Sequence, residues 1–137
     1  FAHMWNTLQE NGARLAFGTN WPTVSMNPLI GLYTAVTRRD ILGYPGRSWF
    51  PQERITIEEA IKAYTLGAAY AEFREEEKGS IEPGKLADIV ILNKNLLKIS
   101  PKMILDTKVV YTILNGKVIF NRNKINHKKF IDAKANR

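Results

Sequence analysis

The chain has 137 residues, no cysteine and a formal net charge of +7, with 45% hydrophobic and 24% charged residues. That suffices for one ordinary core but not for a complete eight-fold β/α barrel, which needs about 250 residues. Without cysteine there is no disulfide framework and no thiolate chemistry. No apolar run approaches the roughly 20 residues of a membrane span, and the N-terminus lacks a signal-peptide pattern, so a cytoplasmic protein without a membrane partner is expected. Five of the seven net charges fall in the tail from Arg122 to Arg137. A basic terminus without a recognition motif is read as a solvated end, so no specific nucleic-acid binding is expected.

In chain order, His3 to Glu10 is expected as a short helix, with Met4 and Leu8 one turn apart, stopped by Asn11-Gly12. Ala13 to Thr19 is expected as a buried strand of a parallel sheet covered by helices. Asn20 ends that strand and Trp21-Pro22 turns away from it. The C-terminal end of a strand is where a β/α barrel carries its chemistry. Asn20 is thereby the residue placed to act, and Trp21 is the candidate substrate contact. An amide is nevertheless a poor base and a weak metal ligand.

Asn27-Pro28 opens the next helix, Asn as cap and Pro at the first helical position. Leu29, Leu32 and Val36 share one of its faces. Arg38 and Arg39 fall in its last turn, where cations complement the dipole. Asp40 to Arg54 is a loop whose Tyr44, Trp49 and Phe50 are either a lid or anchors on the exterior, the second being preferred. Thr56-Ile57-Glu58-Glu59 is a capping box. Behind it Ile57, Ala60, Ile61, Tyr64, Ala68 and Ala71 form an apolar stripe, and Gly67, Ala68 and Ala69 permit close approach to a neighbour.

From Gly79 the period becomes that of strands. Glu82-Pro83-Gly84-Lys85 is a turn, Leu86 to Leu92 a strand interrupted by Asp88, and Ser100-Pro101 opens one helical turn. Val109 to Leu114 and Lys117 to Asn121 form a hairpin on Asn115-Gly116. A two-residue loop pairs Leu114 with Lys117, Ile113 with Val118, Thr112 with Ile119 and Tyr111 with Phe120.

The run Gly12 to Pro22 resembles the last barrel strand of metal-dependent amidohydrolases, family 3, of the exoenzyme-regulator-like group. Asn27-Pro28-Leu29, Ala35-Val36-Thr37-Arg38, Ile55 to Ala60 and Ala63-Tyr64-Thr65 continue the resemblance in order. Lys78 to Val90 looks like the return of the chain into the small β domain of that superfamily. The resemblance implies an α/β fold: residues 1–78 as the C-terminal β/α portion of a TIM-like barrel, 79–121 as part of the small composite β domain, and 122–137 as a basic tail. It also implies hydrolysis of non-peptide C–N bonds in a small-molecule substrate, with a divalent metal such as zinc in the full-length protein. The family's metal site is implied to combine a His-x-His pair on the first strand with an aspartate at position 20, which orients a metal-bound water and takes its proton.

Here that position is Asn20, and the only histidines, His3 and His127, stand at opposite ends of the chain. A catalytic zinc site needs about three protein ligands and an open position. The chain alone is therefore expected to hold no metal and to be inactive. A non-catalytic interaction or regulatory module derived from the same fold is the alternative. A barrel strand without its neighbours also predicts self-association.

Overall fold

The computed structural model describes residues 3–123. Most of the expected tail, including His127, lies outside the described residues. Helix α1 spans Trp5–Glu10, α2 Pro28–Thr37, α3 Ile57–Lys62 and α4 Ala68–Ala71, with a π-helical turn, Ala63–Gly67, joining the last two. Single 3-10 turns occupy Pro51–Glu53 and Pro101–Ile104. Strands β1 (Ile89–Leu92), β2 (Val109–Leu114) and β3 (Lys117–Asn121) form one antiparallel sheet in that order. No helix among the described residues is long and apolar enough to cross a membrane.

Both expected helix starts are present, with the bonds that make them. The Leu29 N–H donates to Asn27 Oδ1 at 3.1 Å, and Pro28 occupies the first turn. The Glu59 N–H donates to Thr56 Oγ1 at 3.2 Å while the Thr56 N–H donates to Glu59 Oε2 at 2.7 Å. Each cap satisfies donors that the first turn leaves free, a contribution of about 1 kcal/mol. Leu29, Leu32, Tyr33 and Ala35 of α2 meet Ile55, Ala60, Leu96 and Ile104 in one buried cluster. The helices and the segment leading through the sheet thus share a core.

The expected strand at Ala13 to Thr19 differs in the structure. The segment carries the in-and-out alternation of a strand: Leu15, Phe17 and Thr19 are partly covered, whereas Ala16, Gly18 and Asn20 are exposed. Among the described residues it belongs to no sheet: a ladder needs a second strand, and the backbone it meets is helical. The Phe17 N–H donates to the carbonyl of Ala63, 3.0 Å away in the π turn. Leu15 and Phe17 pack against the core, and the Phe17 ring lies 5.2 Å from Trp5 and 5.4 Å from Tyr64. The close approach expected at Gly67 is made to this segment: a Cβ there would stand 2.1 Å from the Leu15 carbonyl oxygen.

The hairpin turns on Asn115 and Gly116, both at positive φ (47° and 75°), as a two-residue left-handed turn requires. Leu114 pairs with Lys117 and Ile113 with Val118 as expected. Beyond them a bulge leaves Ile119 unmatched, so Thr112 faces Phe120 and Tyr111 faces Asn121. The strand before the hairpin begins at Ile89, not Leu86. Its expected first part is held in turn contacts: Leu86 N–H donates to the Glu77 carbonyl, and Asp88 Oδ1 accepts from the Asn115 N–H at 2.7 Å. Asp88 interrupts the strand because it anchors the hairpin tip.

Candidate functional site

Asn20 sits where the uncovered segment ends. Its φ of 55° is left-handed, a region asparagine enters more readily than most residues. Its carbonyl accepts from the Val24 N–H at 3.3 Å and closes the turn. The side chain makes no hydrogen bond among the described residues, and it lies on the exposed side with Ala16 and Gly18. Trp21, next in the chain, is 61% exposed. A neutral amide in water accepts and donates hydrogen bonds but does not act as an acid or base near neutral pH.

Among the described residues, no metal-binding set gathers at Asn20. No three His, Cys, Asp or Glu side chains among the described residues come together as a metal ion would need. His3 is engaged elsewhere, its ring 5.6 Å from Trp5 and 6.2 Å from Trp49. An apolar groove of about 800 Å³ runs between the helices and the sheet, walled by Leu29, Leu32, Ile61, Tyr64 and Leu92. A smaller cleft of about 240 Å³ is lined by Gln9, Arg14, Glu59, Lys62 and Tyr70, among others. Neither is lined by Asn20 or Trp21.

The aromatic loop is tied down. Asp40 Oδ1 accepts from the N–H groups of Leu42 and Tyr44, each at 2.9 Å. Arg39 Nη2 donates to the Gly46 carbonyl at 2.6 Å. Trp49 packs T-shaped on Phe50 and joins the cluster around Arg38. Tyr44 remains exposed.

That cluster is the arrangement sequence reasoning missed. Arg38, expected in the last turn as a complement to the helix dipole, is only 3% exposed. It ends α2 in the left-handed conformation (φ 55°), which turns its side chain inward. The guanidinium carbon lies 4.6 Å from the Trp5 ring centre and 4.8 Å from that of Trp49. Its Nε donates to the Trp49 carbonyl at 3.1 Å, and the Trp49 N–H donates back to the Arg38 carbonyl at the same distance. Burial lowers the Arg38 pKa, and the Glu53 charge works against that shift. The one sequence signal is an arginine following the helix where a glycine is usual.

Glu53 is buried as well and ties α1 to the 3-10 turn. Its Oε1 accepts from the Thr7 hydroxyl at 2.6 Å and its Oε2 from the Thr7 N–H at 3.0 Å. The hydroxyl bond, then the amide bond, hold the Glu53 carboxyl below its ordinary range, and the charge of Arg38 adds to the effect. Such a group stabilises the fold above its unfolded pKa of about 4.3, and that contribution disappears as pH falls through the lower folded value. The urea midpoint of the wild type is therefore expected to exceed that of Glu53→Gln at pH 7, with the gap closing below about pH 4. An equal gap at both pH values would show that the charge of Glu53 does not contribute.

Comparison with known proteins places this geometry. Residues 2–120 match the model of the amidohydrolase family. The chain is 37% identical over 119 residues to Protein LONG AFTER FAR-RED 3 of Arabidopsis thaliana, a match covering 87% of this chain and 20% of that protein. It is 28% identical over 116 residues to the N-substituted formamide deformylase of Arthrobacter pascens, covering 85% of this chain and 21% of the relative. Among solved structures, an amidohydrolase from Thermotoga maritima superimposes with a TM-score of 0.65 at 21% identity, over 88% of this chain and 26% of that one. The chain thus spans about a fifth of the length of these curated relatives, and it carries part of an amidohydrolase fold. By its match over residues 2–120, the chain belongs to the amidohydrolase family.

Proposed function

We propose that this chain is the C-terminal portion of a cytoplasmic metal-dependent hydrolase acting on non-peptide C–N bonds of a small-molecule substrate, and that it is inactive alone. In this reading residues 1–78 are the last β/α part of a barrel, 79–121 belong to the small composite β domain, and 122–137 are a basic tail. The observation that carries it is the family match across residues 2–120, with Asn20 at the open end of the segment that resembles the last barrel strand. The relative named as a formamide deformylase supports the bond type.

The side chains of the described residues do not fit the divalent metal that the family resemblance implies. Asn20 offers a neutral amide, and no acidic or histidine cluster stands beside it among the described residues. No catalytic step is therefore assigned to this chain. Asn20 would orient a neighbouring group by hydrogen bonding, and Trp21 would supply an apolar wall for substrate. The same lack of a base favours the second reading, a non-catalytic module of the amidohydrolase fold.

A chimera separates the two. The matching segment of the Arthrobacter pascens deformylase would be replaced by residues 2–120 of this chain, and hydrolysis of an N-substituted formamide measured with Asn20 and with Asn20→Asp. A general base contributes about 100- to 10,000-fold, so Asn20→Asp is expected to raise kcat by at least about 100-fold in a chimera that folds. Equal rates for the two folded chimeras would remove position 20 from the catalytic machinery. Hydrolysis by the 137-residue chain alone would overturn its proposed inactivity.

A further inference from the structure

We propose that Asn115 is a modification site, at which the chain reacts with water to give aspartate and isoaspartate through a cyclic imide. Asparagine followed by glycine occurs twice in the sequence, at Asn11-Gly12 and at Asn115-Gly116. In such a pair the glycine backbone nitrogen, once a base has taken its proton, attacks the asparagine side-chain carbonyl. The new N–Cγ bond closes a five-membered ring, and the side-chain nitrogen leaves as ammonia. Water then opens the ring: attack at Cγ gives aspartate, and attack at the main-chain carbonyl gives isoaspartate. One water is consumed and one ammonia released, with no change of oxidation state. Glycine favours the step because it has no side chain to crowd the attacking nitrogen. The space where a Cβ would stand is empty at both Gly12 and Gly116.

The bonds around the two pairs separate them. Asn11 Nδ2 donates to the Thr7 carbonyl at 2.7 Å, and the Gly12 N–H donates to the Gln9 carbonyl at 2.9 Å. Thr7 is itself tied to Glu53, so ring closure at Asn11 must unwind the end of α1 against that tie. The Asn115 side chain, by contrast, is exposed and makes no hydrogen bond among the described residues. Two bonds hold the hairpin tip: the Gly116 N–H donates to the Ala87 carbonyl at 3.1 Å, and the Asn115 N–H to Asp88 Oδ1 at 2.7 Å. Both run from the tip to residues 87 and 88, so the tip lifts away while the ladder behind it stays paired. A local opening of this kind costs less than unfolding. Asp88 therefore guards the site. Its carboxylate holds the tip down, and its negative charge opposes the anionic nitrogen that must attack.

Either product changes the hairpin. Isoaspartate routes the main chain through Cβ and adds an atom to a loop whose two residues both sit at positive φ, so the turn no longer fits the Leu114–Lys117 pairing. Aspartate keeps the loop length but sets a second carboxylate beside Asp88.

Peptide mass spectrometry of the aged, folded chain tests the site. Trypsin places Asn11 in the peptide 1–14 and Asn115 in the peptide 109–117, which carries no other side-chain amide. In mildly alkaline buffer the peptide 109–117 is expected to show the mass gain of an amide turned into an acid, with isoaspartate among its products, before Asn11 reacts. In urea, where neither site is held, the two should convert at comparable rates. Asp88→Ala is expected to speed conversion at Asn115 about tenfold, since a charge-assisted bond no longer opposes opening, and to leave Asn11 unchanged. Circular dichroism checks that this variant folds; the comparison of native and urea rates in the wild type decides without it. Earlier conversion at Asn11 in the folded chain overturns the proposal. So does aspartate without isoaspartate, the same preference for Asn115 in urea, or a folded Asp88→Ala that reacts at the wild-type rate.

Discussion

Replacing Gly67 by alanine is expected to lower the thermal midpoint by about 10 °C, although alanine is the better helix former. Two effects of opposite sign meet at this position. In a helix interior the exchange gains about 1 kcal/mol, because glycine gives up more backbone freedom on folding. Gly67 has φ near −64°, so the backbone itself accepts a side chain. Against this stands a Cβ placed 2.1 Å from the Leu15 carbonyl oxygen, with the Lys62 carbonyl oxygen at 3.3 Å. The obstacle is backbone on both sides, so no rotamer change relieves it. Either Ala13–Phe17 moves off the helices, losing the Phe17–Ala63 bond, or the π turn rewinds. Overpacking of that kind costs about 3 kcal/mol or more, which exceeds the propensity gain. A thermal melt decides the sign: an unchanged or higher midpoint would mean that the segment does not lie against the π turn. Since the same segment carries Asn20 at its end, a displaced strand would also change the fluorescence of Trp21.

What the sequence made legible, and what it did not, divides along the range of the interactions. The starts of α2 and α3 were readable because Asn27 and Thr56 act on donors two or three residues away. The hairpin tip was readable because Asn115 and Gly116 carry the two left-handed conformations in their own residue types. The register was readable only as far as the tip imposes it; the bulge beyond Ile113–Val118 has no local signal. Asp88 interrupts its strand through a bond to Asn115, a long-range fact that leaves only a misplaced polar residue in the sequence. Ala13 to Thr19 was legible as an extended apolar run, but the sequence put both of its faces inside, and the exposure of Ala16 and Gly18 has no local signal. Asn20 was singled out by its place at the end of that run, and the family resemblance added the aspartate expected there; the exposure of its side chain emerged only in three dimensions.

The second large effect is expected at Arg38, where the sequence suggested little. Arg38→Ala should destabilise the chain by about 3 kcal/mol, a fall in thermal midpoint of about 10 °C. The side chain is sandwiched between Trp5 of α1 and Trp49 of the loop, so its removal leaves two indole faces with nothing between them. A desolvated guanidinium over an indole is worth up to about 2 kcal/mol, and here it meets two. The Nε bond to Trp49 is lost as well, which frees the loop from the end of α2. The Glu53 carboxylate keeps its bonds from Thr7 but loses the nearby positive charge, so its pKa should rise toward the ordinary range. Arg38→Lys separates charge from shape. Lysine retains the cation, yet it has neither the plane that stacks between two rings nor the Nε donor. If stacking dominates, Arg38→Lys should lose more than half as much stability as Arg38→Ala; if charge dominates, it should lie near the wild type. Near-UV circular dichroism of the tryptophans offers a second readout, since their asymmetric surroundings disappear with the stack. Wild-type stability in both variants would mean that Arg38 is the solvated helix-end cation that its position in the sequence suggests.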